Sequence, residues 1–280
     1  MAASNYSVLR GGGAVAVLSP NSRAEIFSSA FHGNKVVCIE RETAGAGVYI
    51  GNGSSLKLSE TIFYNNHATN GTWSDISSVH TGNESNLTSS RCDNQYLTNE
   101  TNFTQCQPAE MCENSFIFFK EGSLLEISHC LFQGCSNGMC ASIEKGTLRA
   151  ISIYSISGSN STIHIDNTTF QGLHADKGGA IYVSISDNGR ITINASTFDK
   201  NVALVTGGAI HIEEGAITNI IENSIFRENK AMATGGAIHV EKEGRNRTSK
   251  LEVKKTRFLE NTAYVSGGAI LFKKGHLSIL

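Results

Sequence analysis

Two histidines and two glutamates occupy matched places in a pair of near-identical stretches: His211 and Glu213 follow Ile210, and His239 and Glu241 follow Ile238, 28 residues on. Side chains two residues apart on a strand share a face. If the two stretches lie side by side, two imidazoles and two carboxylates converge, a donor set that could bind a divalent metal. Tyr182 and Ser184 hold the same places one stretch earlier, and Lys273 stands where the next glutamate would be. That lysine breaks the acidic run, so the plainer reading takes precedence: a solvent-facing ladder of polar side chains, with a metal as the weaker alternative. His164, His174 and His276 have no companion at ligand spacing and read as surface residues. Lys254–Lys255 and Lys273–Lys274 lack the interleaved aromatics of a nucleic-acid groove. There is no Gly-x-Ser-x-Gly, no phosphate-binding loop and no zinc-protease motif, and no cofactor is expected.

Placing the His/Glu pairs depends on the repeat that contains them. Phe198–Asn201 is followed by Gly207, Gly208, Ala209 and Ile210; Phe226–Asn229 by Gly235, Gly236, Ala237 and Ile238; Phe258–Asn261 by Gly267, Gly268, Ala269 and Ile270. Phenylalanine and glycine pair are nine residues apart each time. Phe170 precedes Gly178 and Gly179 by eight, with Leu173 in the asparagine place. The pattern decays toward the N-terminus through Phe132, Phe63 with Asn66, and Phe31 with Asn34. About seven units result.

Short alternating stretches flank the motifs, Ile163–Ile165 and Ile191–Ile193 before a phenylalanine, Ile181–Val183 and Ile210–Ile212 after a glycine pair. Period-two alternation means strands. Three strands per unit, one of them on the Phe-x-x-Asn segment, make a coil of a parallel β-helix whose like positions stack about 4.8 Å apart. The phenylalanines then form an inward column. The glycine pair supplies positive φ at a tight corner. Asn34, Asn66, Asn201, Asn229 and Asn261 point inward at a bend and bond the backbone of the next coil. Tyr182, His211, His239, Thr192 and Glu252 face outward.

Composition agrees. Proline numbers 2 and glycine 28, charged residues are 17%, and the net charge of -2 leaves no electrostatic footprint for nucleic acid. No run of eighteen apolar residues could span a bilayer as a helix. Eleven Asn-x-Ser/Thr triplets begin at Asn5, Asn52, Asn70, Asn83, Asn86, Asn99, Asn102, Asn160, Asn167, Asn194 and Asn246, against about four or five from composition alone, and point to a glycosylated secretory chain. None of the five bend asparagines is among them. Seven cysteines fit an oxidising compartment, with Cys92, Cys106, Cys112, Cys130, Cys135 and Cys140 as disulfide candidates. Residues 67–116 interrupt the repeat and read as an inserted, glycosylated, cysteine-bearing loop in one solenoid spanning 1–280.

The Gly-Gly-Ala-Ile motif with Phe-x-x-Asn resembles the repeat of the chlamydial polymorphic outer membrane proteins, strongly over 162–275 and weakly over 11–66. The resemblance implies a right-handed parallel β-helix of the pectate-lyase-like (pectin-lyase-like) kind, displayed at the cell surface and acting in adhesion. The triplet excess suits a eukaryotic secreted relative, and autotransport is not carried over. Both ends fall within a coil, so the chain reads as a section of a longer solenoid. Function is expected to be extracellular or cell-surface recognition of a protein or glycan, without catalysis. The alternative is a secreted polysaccharide-active lyase or hydrolase, which would need acidic residues clustered on one outward groove.

Overall fold

The computed structural model describes residues 15–17, 22–32, 35–38, 44–50, 55–64, 67–70, 114–120, 124–134, 149–155, 161–185, 189–213, 217–241 and 249–280. They form a parallel β-solenoid without helices. Each paired strand runs parallel to its equivalent in the next coil, so the chain winds round one axis and the repeats stack in register. Two sheets have eight strands, one has seven and one has four, and a further pair of strands stands apart.

The period-two stretches supply the long sheets. In one, Thr162–Asp166, Gly189–Asn194 and Ser249–Lys254 turn Ile163, Ile165, Ile191, Ile193, Leu251 and Val253 inward. In the other, Ile181–Ile185, Ile210–Glu213 and Ile238–Glu241 turn in Ile181, Val183, Ile210, Ile212, Ile238 and Val240. The seven-stranded sheet carries the phenylalanines. Phe31, Phe63, Phe132, Phe170, Phe198, Phe226 and Phe258 stack ring on ring with centroids 4.5–5.0 Å apart and planes within 9° of parallel. Each fully buried ring contributes roughly 1.5–3 kcal/mol by leaving water.

The described residues wind about five turns, against seven expected, although the phenylalanine sheet alone stacks seven strands. Residues 71–113 and 135–148 lie outside the described set. Three further expectations need correction. A fourth strand per coil exists, in His174–Lys177, Val202–Thr206, Lys230–Ala231 and Thr262–Ala263. The excursion after the second unit is narrower than 67–116, because His67–Asn70 and Asn114–Lys120 are solenoid strands. Within each glycine pair, only the first residue takes positive φ: 62° at Gly178, 65° at Gly207, 66° at Gly235 and 65° at Gly267. The second is required by close approach instead. A Cβ on Gly179, Gly208 or Gly236 would lie 2.0–2.3 Å from the carbonyl oxygen of the next coil's glycine.

Two polar columns tie the corners. Asn201 donates its amide to the Phe170 carbonyl and to Asn229 Oδ1, while Asn229 donates to the Phe198 carbonyl and to Asn261 Oδ1. Asn34 and Asn66 lie outside the described residues. The second column was not foreseen: Thr61, Cys130, Thr168, Ser196, Ser224 and Thr256 each return a side-chain hydrogen bond to the carbonyl two residues back. The hydroxyls of Thr168, Ser196, Ser224 and Thr256 also accept the N–H of the equivalent residue one coil earlier. Cys130 is therefore a buried free thiol in a hydroxyl's place, where burial pushes its pKa up to about 11. A disulfide would take its sulfur out of that column, so Cys130 leaves the disulfide candidates. Cys92, Cys106, Cys112, Cys135 and Cys140 lie outside the described residues.

Candidate functional site

The strands after the glycine pairs bring the His/Glu residues together by register alone. Tyr182 pairs with His211 and His211 with His239, while Ser184 pairs with Glu213 and Glu213 with Glu241. The rings follow suit, Tyr182 lying over His211 at 5.6 Å and His211 over His239 at 5.0 Å. Alternation sets both histidines opposite the core-facing isoleucines, yet each is 0% exposed. The solvent-facing ladder is thus corrected at its histidines, because the ring stack and the preceding corner cover them. Thr206 Oγ1 sits 2.8 Å from His211 Nδ1, and Thr234 Oγ1 the same distance from His239 Nδ1.

The outer nitrogens look toward carboxylates. His211 Nε2 has no hydrogen-bond partner among the described residues and lies 3.5 Å from Glu213 Oε2 and 3.8 Å from Glu241 Oε1. His239 Nε2 is 3.4 Å from the other oxygen of Glu241. Tyr182 donates its hydroxyl to Glu213 at 2.8 Å, and Lys177 Nζ bridges Glu213 at 3.0 Å and Glu241 at 3.9 Å. Lys273 bonds Glu241 from the coil beyond. Arg149, which sequence reasoning did not single out, lies beneath the stack. Its guanidinium donates to the Gly178 and Lys177 carbonyls and to Ser152, and its Cζ is 4.9 Å from the Tyr182 ring centre. A lone arginine before an alternating stretch gave no signal for that place.

Burial holds both imidazoles neutral, lowering His211 and taking His239 down to about 4, helped there by its histidine neighbour. The His211 imidazole, the Tyr182 hydroxyl and the Lys177 ammonium hold Glu213 well below the usual carboxylate range. At Glu241 burial pulls upward, but Lys273 and the two imidazoles outweigh it. Both carboxylates are ionised at neutral pH. Glycoside hydrolysis by a carboxyl pair uses one member whose pKa is raised to serve the leaving group, and both of these are shifted the other way. The donor atoms of His211, Glu213 and Glu241 lie within 4.8 Å of one another, a spacing that can hold a metal ion.

A second surface lies on the four-stranded sheet. The alanine column Ala203, Ala231 and Ala263 is buried or half-buried, and residues after it are exposed: Leu204, Met232 and Tyr264, then Val205 and Val265. Tyr264 is 62% and Val265 75% exposed, and Lys230 Nζ stands 5.0 Å over the Tyr264 ring. Of the glycosylation triplets, Asn167 is exposed at a corner, whereas Asn194 donates to Asp166 Oδ1 and accepts from Asn223. The side chain of Asn70 and all of Asn5, Asn52, Asn83, Asn86, Asn99, Asn102, Asn160 and Asn246 lie outside the described residues. His174 is half-buried, while His164 and His276 are exposed and stand apart from the His/Glu set.

Among the described residues no helix is long and apolar enough to cross a membrane. No curated protein and no solved structure matches the chain. Residues 195–213 match the model of the Chlamydia polymorphic membrane protein repeat. That stretch runs from the phenylalanine corner through the glycine pair to Glu213, one side of a coil that recurs along the axis. Over this stretch the chain is similar to the Chlamydia polymorphic membrane protein repeat, and the parallel solenoid stacks copies of that unit along its axis.

Proposed function

We propose that this solenoid is a cell-surface recognition module of the adhesin kind that binds an extracellular protein through its long side, without catalysis. The observation that carries the reading is the outward column of Leu204, Val205, Met232, Tyr264 and Val265, aligned over three successive coils of the repeat. Contiguous apolar side chains that the fold does not bury mark interaction surfaces. Aliphatic groups around one aromatic suit the core of a protein contact better than the hydroxyl-rich surface of a sugar. The repeat's family supports a surface location, and the excess of glycosylation triplets supports passage through a secretory route.

The test is attachment of eukaryotic cells, and of an array of extracellular proteins, to the immobilised chain. Retention by the native protein and loss in a Leu204→Ser, Met232→Ser, Tyr264→Ser variant with an unchanged circular dichroism spectrum is the expected result. Release of reducing or unsaturated sugar ends from a polysaccharide panel, abolished by Glu213→Ala with Glu241→Ala, would replace this reading with the enzyme.

A further inference from the structure

We propose that His211, Glu213 and Glu241 form a site for a divalent transition metal of the zinc type on the outer face of the solenoid, with Lys177 as the group the ion displaces. The inference stands apart from the recognition reading, since the apolar column lies on another sheet.

The imidazole carries the argument. A fully buried ring nitrogen with no hydrogen-bond partner is costly, and His211 Nε2 is such an atom, directed at two carboxylate oxygens. Thr206 sits on the other ring nitrogen. Without an ion, an Nε2–H tautomer faces the two carboxylates; once a cation lies between Glu213 and Glu241, the N–H shifts to Nδ1, is donated to the threonine hydroxyl, and leaves the Nε2 lone pair for the ion. A partner that sets the tautomer in this way is the usual second layer around a histidine ligand. Glu241 is oriented likewise, one oxygen held by His239 and Lys273 and the other left toward His211. Tyr182 steadies Glu213.

Geometry and charge agree. Ions bonded at about 2.0–2.1 Å in a tetrahedron hold their donors about 3.4 Å apart. The two gaps from Nε2 to the carboxylates are 3.5 and 3.8 Å, and all three donors lie within 4.8 Å of one another, so side-chain rotation of the two glutamates toward each other closes the site. One nitrogen and two oxygens favour zinc, cobalt, nickel or manganese over calcium and magnesium. Two ionised carboxylates on adjacent coils repel unless a cation lies between them. Lys177 Nζ now supplies that charge from a half-exposed position, on a stem long enough to swing out to water. A metal ion takes the same place with twice the charge. The fourth position then opens to solvent on the side the ammonium leaves.

The experiment is calorimetric titration of the chelator-stripped 280-residue chain with zinc chloride, together with cobalt titration followed by visible absorption. The native chain should bind with a saturable step and give the intense visible bands of low-coordinate cobalt. Glu213→Gln with Glu241→Gln should weaken that step by about 100-fold or more while leaving the circular dichroism spectrum unchanged. Lys177→Met, which removes the competitor, should strengthen it by about tenfold. These variants avoid substituting the stacked His211, whose loss could disturb the fold. The proposal is overturned if the native chain shows no saturable step, if the double glutamine variant binds as the native chain does, or if Lys177→Met weakens binding.

Discussion

Asn229 shows what one side chain does in a stack. It donates to the Phe198 carbonyl and to Asn261, and it accepts from the backbone N–H and the side-chain amide of Asn201. Truncation leaves several buried polar groups without partners at about 1–3 kcal/mol each. Asn229→Ala should therefore lower unfolding stability by about 3 kcal/mol or more, read as a shift in denaturant midpoint. Asp199 offers a prediction in pH. Arg227 Nε at 2.8 Å holds its carboxyl below the ordinary range against the pull of burial, with Lys200 and Gln171 assisting. As pH falls, the unfolded chain takes up this proton before the folded one, so the stabilisation is complete above the ordinary aspartate value and lost below it. Arg227→Ala should cost stability at pH 7, and the gap from the native chain should narrow as pH is lowered toward 2, as denaturation curves at several pH values would show. At this scale the sequence was partly legible. Period-two alternation sets His211 and His239 on the outer face, but it carries no information about Thr206 and Thr234, whose corner covers them. Serine and threonine are so frequent that the hydroxyl column, Cys130 included, does not stand out from them.

At the scale of the elements, the glycine corner separates two requirements that sequence alone merges. Gly235 is needed for its φ of 66°, and Gly236 because its missing Cβ would meet the Gly268 carbonyl oxygen at 2.0 Å. Gly236→Ala should destabilise by about 4 kcal/mol or more, as thermal melts beside the native chain would measure. The long sheets were readable because alternating isoleucines flank fixed phenylalanine and glycine landmarks. The fourth strand escaped because Lys230–Ala231 and Thr262–Ala263 are two residues long and too short to show a period. In its copy Val202–Thr206, the successive residues Leu204 and Val205 are both exposed, contrary to alternation.

For the whole molecule, energy is held between neighbouring coils, and solenoid stability is close to a sum of such interfaces. Phe198 touches Phe170 on one side and Phe226 on the other. Phe198→Ala should cost about 3–5 kcal/mol. Amide exchange should show lost protection in the coils of Phe170, Phe198 and Phe226, with that of Phe63 kept; uniform loss along the axis would contradict the nearest-neighbour picture.

The corner before the hydroxyl column adds a consequence of its own. Ser28, Glu60, His129, Asn167, Ala195, Asn223 and Lys255 all take positive φ there, between 42° and 54°. Each sends its N–H to a carbonyl of the next coil. The backbone makes that bond, so the side chain is left out of it, and seven sites carry six residue types without a change of path. Such a column is a rail for display: its charge and shape can be rewritten residue by residue, while the bearing that carries the coils stays as it is.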